Sequence, residues 1–378
     1  MTVRKLAARI LLTGTLVGYL LSGAACRRQE APKSTVPEPV STERVLTVPE
    51  HGAYTGAYID FGDREDAVTL DGIEEFDELV GKHQAIVAFS SYWGEQNFPS
   101  AAARVVVAHD SIPMIFWSPW DRPYREDLVM LHGPDKFDLD SILAGRWNNY
   151  IDQWADAAKA VGSPIFVSLC NEMNGSWFPW SAAYYGGTRP VAGSVPARYV
   201  GPEYFKRAYR YIVDRVRARG AANVRWVFHA NNFGDPYTDA NGMAQYYPGS
   251  DYVDWLGLSV YGLLFPEGKW DEFDAMIDKP YAELAAVDVT KPIMLAEWGV
   301  GEFPNKGSKA EWIEDAFDSL QHNFPRLHAA VYWHERWQNS TTLLYSNLRV
   351  NSSPQSLESY RHGVAAPYWI DRPVFRQP

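Results

Sequence analysis

The strongest constraint on this 378-residue chain is a rhythm: short apolar runs rich in Val, Ile and Phe recur from His51 onward, separated by longer amphipathic stretches. The runs are Tyr54–Phe61, Ala85–Ser90, Pro113–Trp117, Pro164–Leu169, Val224–His229, Trp255–Tyr261, Pro292–Ala296 and Ala329–Trp333. Each has the length and composition of a strand buried on both faces, as in a parallel sheet covered by helices. Between them, Arg146–Val161, Tyr204–Arg219 and Lys309–His322 carry apolar residues at helical spacing. Gly162 and Gly220 follow the first two as helix stops. The fifth unit is the weakest, because Asn231 to Asp251 is rich in Gly, Asn, Pro and Tyr and reads as a loop with at most one helical turn. Eight strands with helical crossovers imply a closed α/β barrel of the (β/α)8 TIM type, and no Gly-rich phosphate loop argues for a nucleotide fold. One catalytic domain is expected over residues 50–378.

Composition narrows the function. A net charge of −11 argues against nucleic acid, which needs clustered Lys and Arg. A neutral substrate suits such a surface better. The N-terminus reads as a targeting segment: Arg4, Lys5 and Arg9 precede an apolar stretch, Ile10 to Leu21, too short for a convincing membrane span. Ser22-Gly23-Ala24-Ala25 and then Cys26 resemble a bacterial lipoprotein signal with Cys26 as the lipid anchor, although Gly23 stands where such signals usually have Leu. The same small residues would suit ordinary signal-peptide cleavage after residue 25, and either route exports the protein to the cell envelope or beyond. Residues 26–49 carry four Pro, mixed charges and almost no aromatics, the texture of a flexible tether. Cys170 is then left alone in an apolar run, a buried core thiol rather than a nucleophile. Neither a metal nor a cofactor is expected, since the nine His are scattered without a His-Glu-x-x-His or paired-Cys spacing. The chain is expected to act as a monomer on a polysaccharide or oligosaccharide, with the lipid anchor its only contact with a membrane.

In such barrels the active site is assembled at the C-terminal ends of the strands. That rule selects Glu172, which follows strand four, and Glu297, which follows strand seven. Two carboxyls in these places suit glycoside cleavage, where one protonates the leaving oxygen and the other attacks the anomeric carbon or activates water. Retaining enzymes hold the pair about 5–5.5 Å apart. An apolar wall of Trp177, Phe178 and Trp180 is expected to raise the pKa of the acid by desolvation.

At these residues the chain resembles glycoside hydrolase family 26, on Glu172-Met173-Asn174-Gly175-x-Trp177-x-x-Trp180, on Glu297-Trp298-Gly299, and on Ser259-Val260-Tyr261-Gly262 closing strand six. The resemblance spans residues 85 to 337. It implies a retaining mechanism with Glu172 as acid/base and Glu297 as nucleophile, the latter hydrogen-bonded by Tyr261. The family contains mainly β-mannanases, with mixed-linkage β-glucanases and β-1,3-xylanases among the rest. Two positions depart from it: where the family commonly has His before the acid/base and Arg three residues earlier, this chain has Asn171 and Ser168. Asn at that position is the pattern of the wider clan, where it contacts the sugar 2-hydroxyl, so mannan specificity is in question.

Eight Trp lie at or just after strand ends, at 93, 117, 120, 177, 180, 298, 333 and 337, and this concentration favours a stacking cleft. Among them Trp117, Trp120, Trp177, Trp298 and Trp333 are expected to bind substrate, with Trp177 and Trp333 nearest the cleavage point. Trp147, Trp154, Trp226 and Trp312 are expected in the core. The leading expectation is an endo-acting β-glycanase. A polysaccharide-binding surface lipoprotein and a transglycosylase using the same two Glu are the alternatives.

Overall fold

A computed structural model of the chain describes residues 44–61, 67–121, 133–338 and 345–376. Cys26, the segment before it and the tether up to residue 43 lie outside the described residues. Eight parallel strands form the barrel: β1 (Ala53–Ile59), β2 (Ile86–Tyr92), β3 (Ile112–Ser118), β4 (Ile165–Leu169), β5 (Val224–Asn231), β6 (Trp255–Tyr261), β7 (Ile293–Gly299) and β8 (Leu327–His334). Each pairs with the next, and β8 returns to β1 with Tyr54 opposite Ala329 and Ile59 opposite His334, closing the barrel. The strands expected from sequence match these to within a few residues. Outside that pattern, Trp369–Ile370 adds a short parallel strand beside the start of β1.

Strand alternation sorts the core into two layers. Tyr58, Ile86, Ala88, Met114, Phe116, Phe166, Val227, Met294 and Val331 meet inside the barrel. Their neighbours along the strands, including Val87, Ile115, Trp117, Val167, Phe228, Leu258, Leu295 and Tyr332, face outward into the layer under the helices. Those helices are α1 (Leu70–Val80), α2 (Ser100–Ala108), α3 (Asn148–Lys159), α4 (Val200–Ala218), α5 (Met243–Tyr246), α6 (Phe273–Val287), α7 (Lys309–His322) and α8 (Pro354–Val364). In α7 the Ser308 side chain accepts from the Glu311 backbone N–H, and Trp312, Ile313, Ala316, Phe317 and Leu320 form the buried stripe. Gly162 and Gly220 adopt left-handed φ values of 69° and 77° just beyond α3 and α4, as stop residues do. The weak fifth unit holds only the single turn α5 and short 3-10 turns.

The folded body begins earlier than the tether expectation allowed. Val45 and Leu46 pair antiparallel with Arg376 and Phe375, and the Tyr54 hydroxyl donates to the Thr47 carbonyl at 2.8 Å. Residues 44–49 therefore pack on the barrel, because their backbone groups find partners in the C-terminal segment.

Lys309 opens α7 with a buried side chain, its ammonium donating to the carbonyls of Asn347 (3.2 Å) and Arg349 (2.9 Å). Burial pushes its pKa down to about 7. The folded state therefore binds fewer protons than the unfolded state between about pH 7 and the ordinary lysine range, so stability rises with pH across that window. We expect the melting temperature of the wild type to gain on that of Lys309→Met between pH 7 and pH 9. Parallel curves for the two proteins would contradict a buried, proton-poor Lys309.

Candidate active site

A β-bulge aims the second carboxylate. On β7, Leu295 pairs with Leu258 while Glu297 pairs with Ser259, so Ala296 is an extra residue without a partner across β6. Met294 and Ala296 belong to the interior layer. Strict alternation would then turn Glu297 outward, and the bulge turns it back into the barrel mouth. On β4 the chain leaves the strand through left-handed conformations at Cys170 and Glu172, both with φ 53°. The turn is held by the Glu172 backbone N–H donating to the His229 carbonyl (2.8 Å) and by Trp180 Nε1 donating to the Asn171 carbonyl (2.7 Å).

These two devices bring the carboxyls together. One oxygen of Glu172, one of Glu297 and one nitrogen of His229 lie within 4.8 Å of one another, all buried. Glu297 accepts from the Tyr261 hydroxyl at 2.7 Å and from Asn171 Nδ2 at 3.4 Å. Glu172 accepts from Asn231 Nδ2 and from Trp177 Nε1, each at 2.8 Å. Asn174 holds Asn231 in place by a reciprocal pair: its Nδ2 donates to the Asn231 carbonyl and its Oδ1 accepts the Asn231 N–H, both at 2.9 Å.

Burial raises the pKa of both carboxyls. At Glu297 the neighbouring Glu172 charge raises it further, against the hydrogen bonds from Tyr261 and Asn171. At Glu172 burial outweighs the lowering by Ser259, Asn231 and Trp177. Removing the second proton would create a second buried negative charge beside the first, so the pair keeps one proton over a wide pH range. It can thus present an acid and a carboxylate together. His229 is fully buried and stays neutral, its pKa pushed down to about 3 by desolvation.

The structure corrects the aromatic expectations. Trp298 follows Glu297 on the same strand, so it must point the other way, and it is buried against Tyr332, Phe317 and Trp312. Trp117 follows the interior residue Phe116 and is likewise buried, stacked on Trp154 at 4.0 Å with its Nε1 donating to the Tyr150 hydroxyl. Trp120 is buried beside Trp180 and Phe178. Trp93 and Trp180 are buried too, and nothing is described of the Trp337 side chain. Trp177 and Trp333 remain partly exposed at the mouth. Trp333 stacks on Tyr58 at 3.8 Å and its Nε1 donates to Glu335 at 2.9 Å. Trp177 is a hydrogen-bond donor to Glu172 rather than part of an apolar wall, and it packs near Phe233. The sequence reading missed His229, Asn231 and Ser259. Polar residues at alternate positions near the ends of β5 and β6 were the available signal.

The profile of glycosyl hydrolase family 26 matches residues 110–303, half of the chain. The chain belongs to glycosyl hydrolase family 26. Endoglucanase H of Acetivibrio thermocellus is 30% identical over 298 residues, covering 78% of this chain and 29% of that protein. The mannan endo-1,4-beta-mannosidase A and B of Caldalkalibacillus mannanilyticus is 25% identical over 197 residues, covering 51% of this chain and 33% of that protein. The chain thus spans about a third of the length of these curated relatives. The catalytic domain of a Bacillus sp. JAMB-750 family 26 endo-beta-1,4-mannanase superposes with a TM-score of 0.58 at 17% identity, covering 84% of this chain and 87% of that one, which shows the shared barrel fold.

Within this family 26 barrel, Gly175 lets the Trp177 indole lie across the backbone: a Cβ there would stand 2.4 Å from the ring. Gly175→Ala should displace Trp177 and remove its hydrogen bond to Glu172. A hydrogen bond to a charged group contributes about 1.5–3 kcal/mol, so kcat/KM of the folded variant should fall roughly ten- to a hundredfold, with the melting temperature lowered as well. Unchanged kinetics in Gly175→Ala would show that the indole donor does not matter to the reaction.

Proposed function

We propose that the protein is a retaining endo-β-glycanase, with Glu172 as acid/base and Glu297 as nucleophile. The observation that carries this reading is the pair itself. Its nearest oxygens lie within 4.8 Å at the mouth of the barrel, which supports the short carboxyl separation of a retaining pair, about 5–5.5 Å, over the wider one of an inverting pair. Glu297 attacks the anomeric carbon as a carboxylate steadied by Tyr261 and Asn171, while Glu172 gives its proton to the departing oxygen. In the second step Glu172, now a carboxylate, takes a proton from water, which attacks the same carbon and releases Glu297.

Asn171 supports a reading of the substrate class. In family 26 mannanases the residue before the acid/base is commonly His; here a shorter amide reaches toward Glu297. We take this to favour an equatorial 2-hydroxyl, as in β-glucan, and the name of Endoglucanase H supports a glucan substrate. Activity on β-glucan should therefore equal or exceed that on mannan. A hundredfold preference for mannan in kcat/KM, about 2.7 kcal/mol of transition-state discrimination, would refute this part of the reading.

The roles are separable by mutation. Glu297→Ala should lose activity by orders of magnitude on every substrate and, with azide, yield the α-glycosyl azide. Glu172→Ala should keep its first step on an activated aryl glycoside, accumulate the covalent intermediate and be rescued by azide to the β-glycosyl azide. Reversed azide stereochemistry in the two variants would exchange the assignments. The pH dependence tests the shared proton. With an activated aryl glycoside, kcat/KM of the wild type should fall at high pH as the pair loses its second proton. Glu172→Gln should abolish that basic limb and leave the acid limb in place.

A further inference from the structure

Beyond Trp177 the mouth of the barrel runs into a cavity of about 500 Å³, held between the loop that follows β5 and the helix α6. Phe233 joins the two. Its ring lies 5.6 Å from the Trp177 indole, centroid to centroid, and it also lines the cavity. Asn174 lines the cavity as well, and its amide is the one that clamps Asn231 beside Glu172. The cavity is thus continuous with the mount of the Glu172 carboxyl, although neither of the two steps above makes use of it. Its other walls lie outside the motifs that carry the family resemblance.

Those walls are built before any ligand arrives. Asn232 Nδ2 donates to the Met276 carbonyl (3.3 Å), the Met243 N–H donates to Glu283 (2.9 Å) and the Lys279 ammonium donates to the Tyr237 hydroxyl (2.6 Å), so three bonds lash the loop to α6. The same ammonium lies 5.0 Å from the centre of the Tyr237 ring and steadies it. Phe233 and Tyr237 nevertheless remain 51% and 70% exposed. A single ring left in water needs no explanation, but two on the rim of one cavity, in line with Trp177, do. The volume falls within the range of about 300–1,000 Å³ usual for small-molecule sites. Asp239, Glu283 and Lys279 are the charged groups of the lining, an excess of one negative charge, which disfavours a phosphate, sulfate or uronate. A neutral sugar suits it, with an apolar face for a ring and hydroxyls for the polar walls.

We propose that this cavity is a distal sugar subsite for the leaving end of the chain, taking a neutral β-linked pyranose unit beyond the cleavage point with Tyr237 as its platform. The inference rests on Glu172 being the acid/base. The oxygen that Glu172 protonates belongs to the departing fragment, so that fragment starts beside Glu172 and Trp177 and continues past Phe233 toward Tyr237. Sugars bound there take no part in the bond change. They hold the glycosidic oxygen against Glu172, and binding far from the reacting atoms assists the reaction in this way.

Two variants test it. Tyr237→Ala removes the platform, and Ala275→Trp, at an exposed position of α6 on the lining, fills the cavity. In each, the ratio of kcat/KM on the better cleaved of mixed-linkage β-glucan and β-mannan to that on an aryl β-glycoside should fall roughly tenfold, because the aryl group ends short of the cavity. An oligosaccharide of the same polymer, labelled at its reducing end, supplies the sign. Without a subsite for the leaving end, cleavage should move toward that end and release shorter labelled fragments. Longer labelled fragments would put the cavity on the other side of the cleavage point. An unmoved ratio and pattern in both variants would leave it a plain hollow of the surface. Either result overturns the subsite while the glycanase reading stands. A wild type that cleaves neither polymer removes that reading instead. Migration in gels containing the two polymers then judges the cavity alone: retardation of the wild type that Tyr237→Ala loses keeps a sugar site there, and equal migration of the two removes it.

Discussion

A strand in a closed barrel shows only alternate side chains to the interior, and everything at this site follows from how the chain gets round that rule. Glu297 and Trp298 cannot both face the mouth. The bulge at Ala296 gives the mouth to the carboxylate and sends the indole outward, where α7 needs a large apolar group to pack on. On β4 the left-handed turns at Cys170 and Glu172 do the corresponding work. Such conformations in residues other than glycine cost about 1–3 kcal/mol each. They persist because the surroundings over-determine them: Trp180 holds the Asn171 carbonyl and the end of β5 holds the Glu172 N–H. Irregular backbone is thus concentrated where the two carboxyls are brought within reach of each other.

The closeness so achieved sets the electrostatics. The leading influences on Glu297 are burial and the Glu172 charge, with hydrogen bonds from Tyr261 and Asn171 opposing them and Glu335 adding to them. No cation stands among these influences, and the nearby His229 is kept neutral by its own burial. The pair therefore satisfies itself by sharing a proton. One arrangement of two identical residue types can thus hold a carboxylic acid and a carboxylate side by side, without any difference in side-chain chemistry between them.

Sequence rhythm revealed the barrel because eight strands buried on both faces leave eight apolar runs with helical stretches between them. The two Glu residues were legible for a related reason: a carboxylate ending a fully apolar strand has no bland explanation when it happens at strands four and seven together. Strand parity was not legible. Trp117 and Trp298 read as cleft residues because they stand at strand ends, but which face a strand-end residue takes depends on register, and at β7 register depends on a bulge that leaves no mark in Leu-Ala-Glu-Trp. His229, Asn231 and Ser259 were missed because single polar residues in apolar strands look like satisfied core groups. Only the meeting of β4, β5 and β6 shows that they face the same carboxyl. The N-terminal pairing of Val45 and Leu46 was hidden because its partner, Phe375, lies at the far end of the sequence.

The run from Glu172 to Trp180 carries so much of the resemblance because it is one mechanical unit. Asn174 clamps Asn231, which binds one oxygen of Glu172; Gly175 clears the space for Trp177, which binds the other; Trp180 secures the carbonyl of Asn171. Each spacing is fixed by a contact to Glu172 or to a group that supports it, so none can slip by one residue without loosening the carboxyl. Asn171 and Ser168 face away from that unit, toward Glu297 and His229. A change there alters the surroundings of Glu297 and His229 while the contacts of Asn231 and Trp177 to Glu172 stay where they are. The support of Glu172 is thus carried by different side chains from those that meet Glu297.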